Sequence, residues 1–366
     1  MAYMDVNITN VEDIVRIIRE ERARVLVTGA PGTGKTSLIR EMLTKTNERF
    51  LVLDRLGIYR GFTNYYGIFP VNPLDFVRAG DFMFAVENIL GSRSVGIQVP
   101  EEEWGIITDL LTGELDEREM RARFPMMGGT LPPAPGAPVV TQRPTKSIPE
   151  LLLYLYQYKG GRPAFASAFN NQLWTTKTHN LLYRWLMSGL GGSVGIDLSR
   201  ISKREATVYT YMLLFIIGSV PEIRNNPPIV VVDWNWALDM SPLVLPSDAI
   251  PPIIFTDISK SGVQDMIQDA DIFFTLFIRF PEAVRDPSIP SVVYSRPHTA
   301  YVRGLYTEGI ISVKPRLIEP KPNARAFDCL DPNLPVVEYD SNEGRYVIRD
   351  FRERNAQCLI EAENVA

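Results

Sequence analysis

The chain is poor in cysteine and histidine. Across 366 residues it has Cys329 and Cys358, and His179 and His298. Standing singly, these four make no zinc-ligand spacing and no histidine-based catalytic pair, and two distant cysteines read as free thiols rather than a disulfide framework. Long apolar runs are missing too. The longest candidate, Tyr209 to Val220, is about twelve residues, short of the ~18 needed to cross a bilayer, and reads as a buried helix. The opening Met1-Ala2-Tyr3-Met4-Asp5 has neither the basic nor the apolar region of a secretory signal, so a cytoplasmic protein without a transmembrane segment is expected. Lysine is scarce: 9 of the 38 basic residues are lysine and 29 arginine, with a net charge of −5. That balance argues against a surface coated with positive charge for nucleic acid, and leaves open a ring holding DNA in a small central channel, where only local charge matters. At 45% hydrophobic and 22% charged residues, the composition is that of a globular protein with a large core and room for two structural units.

Against this background one segment stands out: Gly29-Ala30-Pro31-Gly32-Thr33-Gly34-Lys35-Thr36, followed by Ser37. It fits the phosphate-loop pattern G-x-x-x-x-G-K-[ST] at every fixed position. An apolar run, Arg24 to Thr28, precedes it, and the helix-like run Ser37 to Leu43 follows. Glycines let backbone N–H groups turn inward around phosphate oxygens, and a helix N-terminus adds the positive end of its dipole. Gly29, Pro31, Gly32, Thr33, Gly34, Lys35, Thr36 and Ser37 are therefore the candidate ATP-binding residues. Lys35 would reach the β- and γ-phosphates, and the Thr36 hydroxyl would ligate Mg²⁺.

A second acidic motif lies downstream. Ile229-Val230-Val231-Val232-Asp233 is a buried-strand pattern ending in a carboxylate, the Walker B arrangement, in which Asp233 holds Mg²⁺ through water. Many P-loop ATPases have next a glutamate that polarises the attacking water. Here Trp234 follows, then Asn235 and Trp236, and an indole is no general base. Asp239 or Asp257 could substitute only if the fold brings one close.

Other elements are read from periodicity and turn signals. Val11 to Arg22 reads as an amphipathic helix, Arg49 to Asp54 as a strand, and Gly67 to Pro73 as a third strand or edge segment. Helical runs then dominate to about Leu190: Phe82–Leu90, Glu101–Leu111, Glu114–Arg123, Ile148–Tyr158 and Thr178–Ser188. A Pro/Gly stretch at Met127 to Gly136 breaks them. Strands resume at Val194–Leu198, Ile229–Asp233, Ile253–Thr256 and Asp271–Phe280, with a long helix at Lys203–Ser219. This alternation implies a parallel sheet covered on both faces. Short strands follow at Ala300–Arg303 and Gly309–Val313, then a hairpin of Val336–Asp340 with Arg345–Arg349. The expected organisation is an α/β P-loop core in residues 1–75 and 193–320, a mostly helical insertion in 76–192, and a short β-rich tail in 321–366.

In this order the motifs resemble the HerA/FtsK superfamily of hexameric DNA-pumping ATPases, which includes the VirB4 and TraG/VirD4 conjugation ATPases. The resemblance spans about Val25 to Ile318. Besides the phosphate loop it rests on Phe50 to Tyr59 (a strand ending in Asp, then Gly and an aromatic), Val71-Asn72-Pro73, Val194 to Ser199, Asp233, Ile253 to Thr256, Thr275 to Arg279, and Ser312-Val313-Lys314. It implies a RecA-like core, ATP and Mg²⁺ as cofactors, a homo-oligomeric ring, hexameric in the family's manner, duplex DNA in a central channel, and a partner complex. It also implies an active site between subunits with an arginine finger from the neighbour. Arg279, at a strand end, is the first candidate and Arg303 the second. Channel-facing positive charge could come from Arg118, Arg121, Arg123, Arg143 and Lys146, although the first three share their segment with Glu117 and Glu119 and fit a solvated helix face. Trp174, Tyr183 and Trp185 could stack on bases, but their helical spacing fits core packing better. Three family polar positions differ: Ile58 and Trp234 replace glutamates, and Asp257 replaces a glutamine.

Two functions stay open on these residues. One is an ATP-driven DNA translocase or packaging motor. The other is an ATP-binding structural or regulatory subunit with slow or lost hydrolysis, which Ile58 and Trp234 favour. A remodelling ATPase of the wider AAA class is a third, weaker fit.

Overall fold

The computed structural model describes residues 10–29, 32–113, 144–159, 161–189, 191–233, 240–257, 272–276, 299–304, 308–312, 318–327 and 336–349. The chain enters through α1 (Val11–Glu20), capped by the Asn10 side chain, which accepts from the Asp13 N–H at 2.8 Å. Strand β1 (Arg24–Thr28) leads through the glycine loop into α2 (Lys35–Lys45), followed by β2 (Phe50–Asp54) and the short β3 (Tyr65–Gly67). Five helices come next: α3 (Ala79–Gly91), α4 (Glu101–Thr112), α5 (Ile148–Lys159), α6 (Ala166–Phe169) and α7 (Leu181–Ser188). The sheet resumes with β4 (Ser193–Asp197), crosses back through α8 (Lys203–Ser219) and α9 (Pro221–Arg224), and continues with β5 (Ile229–Asp233), β6 (Ile253–Asp257) and β7 (Ile272–Leu276). Strands β8 (Thr299–Gly304), β9 (Glu308–Ser312) and β10 (Arg325–Phe327) precede a hairpin of β11 (Val337–Asp340) and β12 (Arg345–Ile348).

Among the described residues, ten strands form one sheet in the order β10-β3-β4-β2-β5-β6-β1-β7-β8-β9. From β10 to β7 every pairing is parallel, and β8 and β9 add an antiparallel edge. This is the RecA-like α/β fold expected from the sequence, with β6 lying between the phosphate-loop strand β1 and the Asp233 strand β5. The central strands are unbroken apolar runs because both of their faces are covered. Alternate side chains feed two cores. Val25, Val27, Phe50, Val52, Ile229, Val231 and Ile254 face α1 and α2. Leu26, Leu51, Leu53, Val230, Val232 and Ile253 face the larger core built with α3 to α9. Helix α8 runs through that second core, buried from Ala206 to Gly218, and starts at a capping box of Ser202 and Glu205.

Some boundaries move from their expected places for local reasons. The third strand is Tyr65–Gly67 rather than 67–73. Pro70 and Pro73 have no N–H for a ladder, and beyond Gly67 only Val71 pairs, in an isolated bridge with Trp174. The helix expected from Thr178 begins at Leu181, because the Asn180 side chain accepts the Tyr183 N–H at 3.0 Å and caps it there. The first helix stops at Glu20, with Arg22 at φ 48°. The expected helix at 114–123 lies outside the described residues. Part of the C-terminal region returns to the main sheet, where β10 pairs in parallel with β3 and Lys321 Nζ bonds Asn64 Oδ1 at 2.9 Å. No helix among the described residues is long and apolar enough to cross a membrane.

Candidate nucleotide site

The site is assembled at the carboxyl ends of the parallel strands, where open α/β sheets place their ligands. Between β1 and α2 the backbone takes left-handed conformations at Gly32 (φ 80°) and Gly34 (φ 107°), which side chains would resist. Gly34 is the N-cap of α2, so no side chain caps the first N–H groups of that helix. Lys35, Thr36 and Ser37 form its first turn, and the Gly34 carbonyl accepts the Leu38 N–H at 2.8 Å. Uncapped N–H groups at a helix start are donors for an anion, reinforced by the dipole. Lys35 curls back over the loop, its Nζ 2.7 Å from the Gly29 carbonyl oxygen. Thr33 is buried, while Thr36 and Ser37 are half-buried. Pro31 lies outside the described residues.

Register brings the second half of the site alongside. Asp54 on β2 pairs with Asp233 on β5, which pairs with Thr256 on β6. Asp233 is 6% exposed. Its Oδ1 accepts from the Thr256 hydroxyl, and its Oδ2 is buried without a hydrogen-bond partner. Burial pushes the Asp233 carboxyl above the usual carboxylate range and nearby Asp54 adds to the rise, while Thr256, Tyr59 and Lys35 oppose it. An orphaned buried carboxylate oxygen beside a lysine, at the mouth of a glycine loop that offers a threonine hydroxyl, suits a hard divalent cation carried in with a phosphate ligand. Asp233 and Thr36 fit Mg²⁺ in that sense.

Asp54 is used differently. Its Oδ1 accepts the N–H groups of Leu56 at 3.0 Å and Gly57 at 2.8 Å, and its Oδ2 accepts the Tyr59 N–H and the Tyr66 hydroxyl, both at 2.8 Å. Burial raises its carboxyl despite these donors, which pull the other way. With four donors on one carboxylate, Asp54 shapes the loop after β2 and is not available as a base. That loop carries Tyr59, wholly buried, with Asp233 near its side chain. The two groups are near enough to influence each other's charge state, and the hydroxyl makes no well-formed hydrogen bond. Arg40, on α2, donates to the Ile58 carbonyl and lies over the Phe62 ring at 4.2 Å, tying the same loop to the phosphate-loop helix.

Of the remaining candidates, Arg279, Trp234, Asn235, Trp236, Asp239, Arg118, Arg121, Arg123 and Arg143 lie outside the described residues. So do Cys329, Cys358 and His298. The backbone of Arg303 pairs with Phe273 and Glu308 inside the antiparallel edge. Lys146 is exposed, next to the start of α5. Trp174 and Trp185 are core residues: Trp174 packs against Phe169 and Tyr209, and Trp185 lies under the Arg49 guanidinium. Tyr183 packs against Phe76 and His179. Sequence reasoning missed Tyr59, Tyr66 and Arg40 as parts of the site. The available signal was Asp54 with Gly57 three residues on, the pattern of an aspartate-capped turn.

Residues 9–77 match a family model described as the type IV secretion-system coupling protein DNA-binding domain. The resemblance to the VirB4/TraG-like coupling ATPases is thus found independently over the segment that holds the glycine loop, Asp54 and Tyr59. Among curated proteins none matches significantly. Similar solved structures include the bacterial conjugative coupling protein TrwBdeltaN70, trigonal form in complex with sulphate, at 14% identity over 83% of this chain and 87% of that one, with a TM-score of 0.49. VirB4 of Thermoanaerobacter pseudethanolicus aligns at 12% identity over 81% of this chain and 91% of that one, with a TM-score of 0.42.

Proposed function

We propose that this protein binds MgATP in the glycine loop and works as an oligomeric P-loop ATPase on DNA, a translocase or packaging motor of the HerA/FtsK type. The observation that carries the reading is the Asp233 oxygen, buried and without a partner, at the end of a strand separated by β6 alone from the strand that leads into the loop. In this reading the first-turn N–H groups of α2 and the Lys35 ammonium hold the β- and γ-phosphate oxygens. Thr36 and Asp233 hold the magnesium ion, which when bound neutralises charge on the transferring phosphoryl group. Thr256 keeps Asp233 in orientation. Residues 1–75 and 193–320 act as the ATPase core, 76–192 as a helical insertion and 321–366 as a tail. Arg279 is the proposed finger reaching a neighbour's site in a cytoplasmic ring. The family whose model matches residues 9–77 is described as DNA-binding, which supports DNA as the substrate, and duplex DNA is the form we propose.

A second reading is favoured by one observation. Among the described residues at the carboxyl end of the sheet, Asp54 is saturated by its own loop, while the backbone of Asp257 pairs with Thr28 just ahead of the glycine loop. A subunit that binds ATP to fix an assembly, with slow or no hydrolysis, fits the apolar residues Ile58 and Trp234 at the two family glutamate positions. Steady-state ATP turnover with and without duplex DNA, beside Lys35→Ala, separates the two. DNA-stimulated turnover abolished by the substitution selects the motor. ATP-dependent assembly without turnover selects the structural subunit.

A further inference from the structure

We propose that Tyr59 is a positioning residue whose hydroxyl is the second donor to Asp233 and holds that carboxylate ready for the metal. The inference rests on the MgATP reading and adds to it a residue that neither glycine loop nor Walker B strand contains. Tyr59 is wholly buried, its hydroxyl and Asp233 Oδ2 are each without a hydrogen-bond partner, and the two side chains are close enough for each to influence the other's charge state. A buried unpaired hydroxyl and a buried unpaired carboxylate oxygen are each destabilising, because neither regains the hydrogen bond it had with water. An aromatic kept only for packing would avoid the first cost as phenylalanine. A donor and an acceptor left open near each other are relieved together by a small turn of either side chain.

The backbone of Tyr59 is fixed for that purpose. Its N–H is bonded to Asp54 Oδ2 at 2.8 Å, and Asp54 sits in register beside Asp233 on the neighbouring strand. The preceding carbonyl, of Ile58, is gripped by Arg40 from α2. Tyr59 is thereby tied through Ile58 to the phosphate-loop helix and through its N–H to Asp54, the register neighbour of Asp233. Thr256 orients Oδ1 and Tyr59 orients Oδ2, the arrangement by which outer groups set a metal ligand's direction.

The test is Tyr59→Phe, which keeps the ring and its packing. A fluorescent ATP analogue is titrated in EDTA, and then with Mg²⁺ at fixed nucleotide. The expected result is nucleotide binding in EDTA equal to wild type and a Mg²⁺ midpoint raised about tenfold, the low end for groups that orient a metal ligand. In an Asp233→Asn background, Tyr59→Phe should add nothing further, because the two act as one unit. A Tyr59→Phe midpoint within about twofold of wild type, or the same shift in both backgrounds, overturns the proposal while leaving the MgATP reading standing. Wild-type protein with no nucleotide affinity in either condition overturns both.

Discussion

Replacing Asp233 by asparagine should stabilise the protein without ligand and destabilise it, relative to wild type, with MgATP. The apo protein buries a carboxylate that has one oxygen bonded to Thr256 and one with no partner. Leaving such a group unsatisfied costs about 1–3 kcal/mol, more for a charged group. Asparagine keeps an acceptor for Thr256, removes the charge, and sets an NH₂ donor toward the Tyr59 hydroxyl oxygen. Unfolding entropy of about 2.1 cal/mol/K per residue makes ~1–3 kcal/mol worth about 1–4 °C in Tm for a chain of this length. Ligand reverses the order. Saturating MgATP at about a hundred times Kd adds ~2.7 kcal/mol to wild type by mass action, and the variant, lacking the carboxylate for magnesium, gains far less. Differential scanning fluorimetry with and without MgATP should therefore show the two melting curves crossing over. A variant that melts below wild type without ligand, or gains the same increment from MgATP, would refute the reasoning.

Other consequences follow from the same geometry. Gly195 on β4 lies under Tyr66, and a Cβ there would come within 2.6 Å of the ring and 2.9 Å of Thr63 Oγ1. Gly195→Ala should cost about 1–3 kcal/mol by overpacking, read by urea denaturation. Glu103, fully buried, accepts from Lys159 Nζ at 2.6 Å and from the N–H groups of Ala164 and Phe165. Glu103→Ala leaves the N–H groups of Ala164 and Phe165 unpaired while Lys159, partly exposed, turns to water, and should cost about 1–3 kcal/mol. The carboxyls of Asp54 and Asp233 are raised by burial above their unfolded value of 3.8. Their contribution to stability is thus full below pH 3.8 and lost as pH rises through the folded values. Urea midpoints of the apo protein at a series of pH values should show this pair favouring the fold on acidification from neutral, and Asp233→Asn should flatten the slope. Asp340 is shifted the other way by the N–H groups of Asn342 and Glu343, so its contribution holds above pH 3.8 and fades only below it.

The parts of the site legible in the sequence are those encoded locally. The glycine loop declares its backbone needs in eight consecutive positions, and β5 announces a strand buried on both faces by four apolar residues before Asp233. Helix α8 was legible to the residue because Ser202 and Glu205 form its capping box and its apolar run ends before Pro221. The third strand was misplaced because apolar content at Ile68, Phe69 and Val71 reads as strand, whereas prolines at 70 and 73 withhold the ladder N–H groups. The motif that contains Tyr59, a strand ending in Asp, then Gly and an aromatic, does not show the role proposed for its side chain. That role depends on β2 and β5 lying side by side, a pairing that joins residues far apart in the chain. The fate of Asp54 is also a matter of tertiary geometry: a strand-ending aspartate could face a ligand or fold back on its own loop, and here it folds back.

If the loop between β1 and α2 grips a triphosphate through Lys35 and the N–H groups of α2, isothermal titration of MgATP into wild-type protein and Lys35→Ala will show it. Saturable binding to wild type is expected, with an affinity lower by roughly 10- to 100-fold in the variant, the worth of about 1.5–3 kcal/mol for a hydrogen bond to a charged group. Wild-type protein that takes up no heat of binding, or a variant that binds as tightly as wild type, would contradict it.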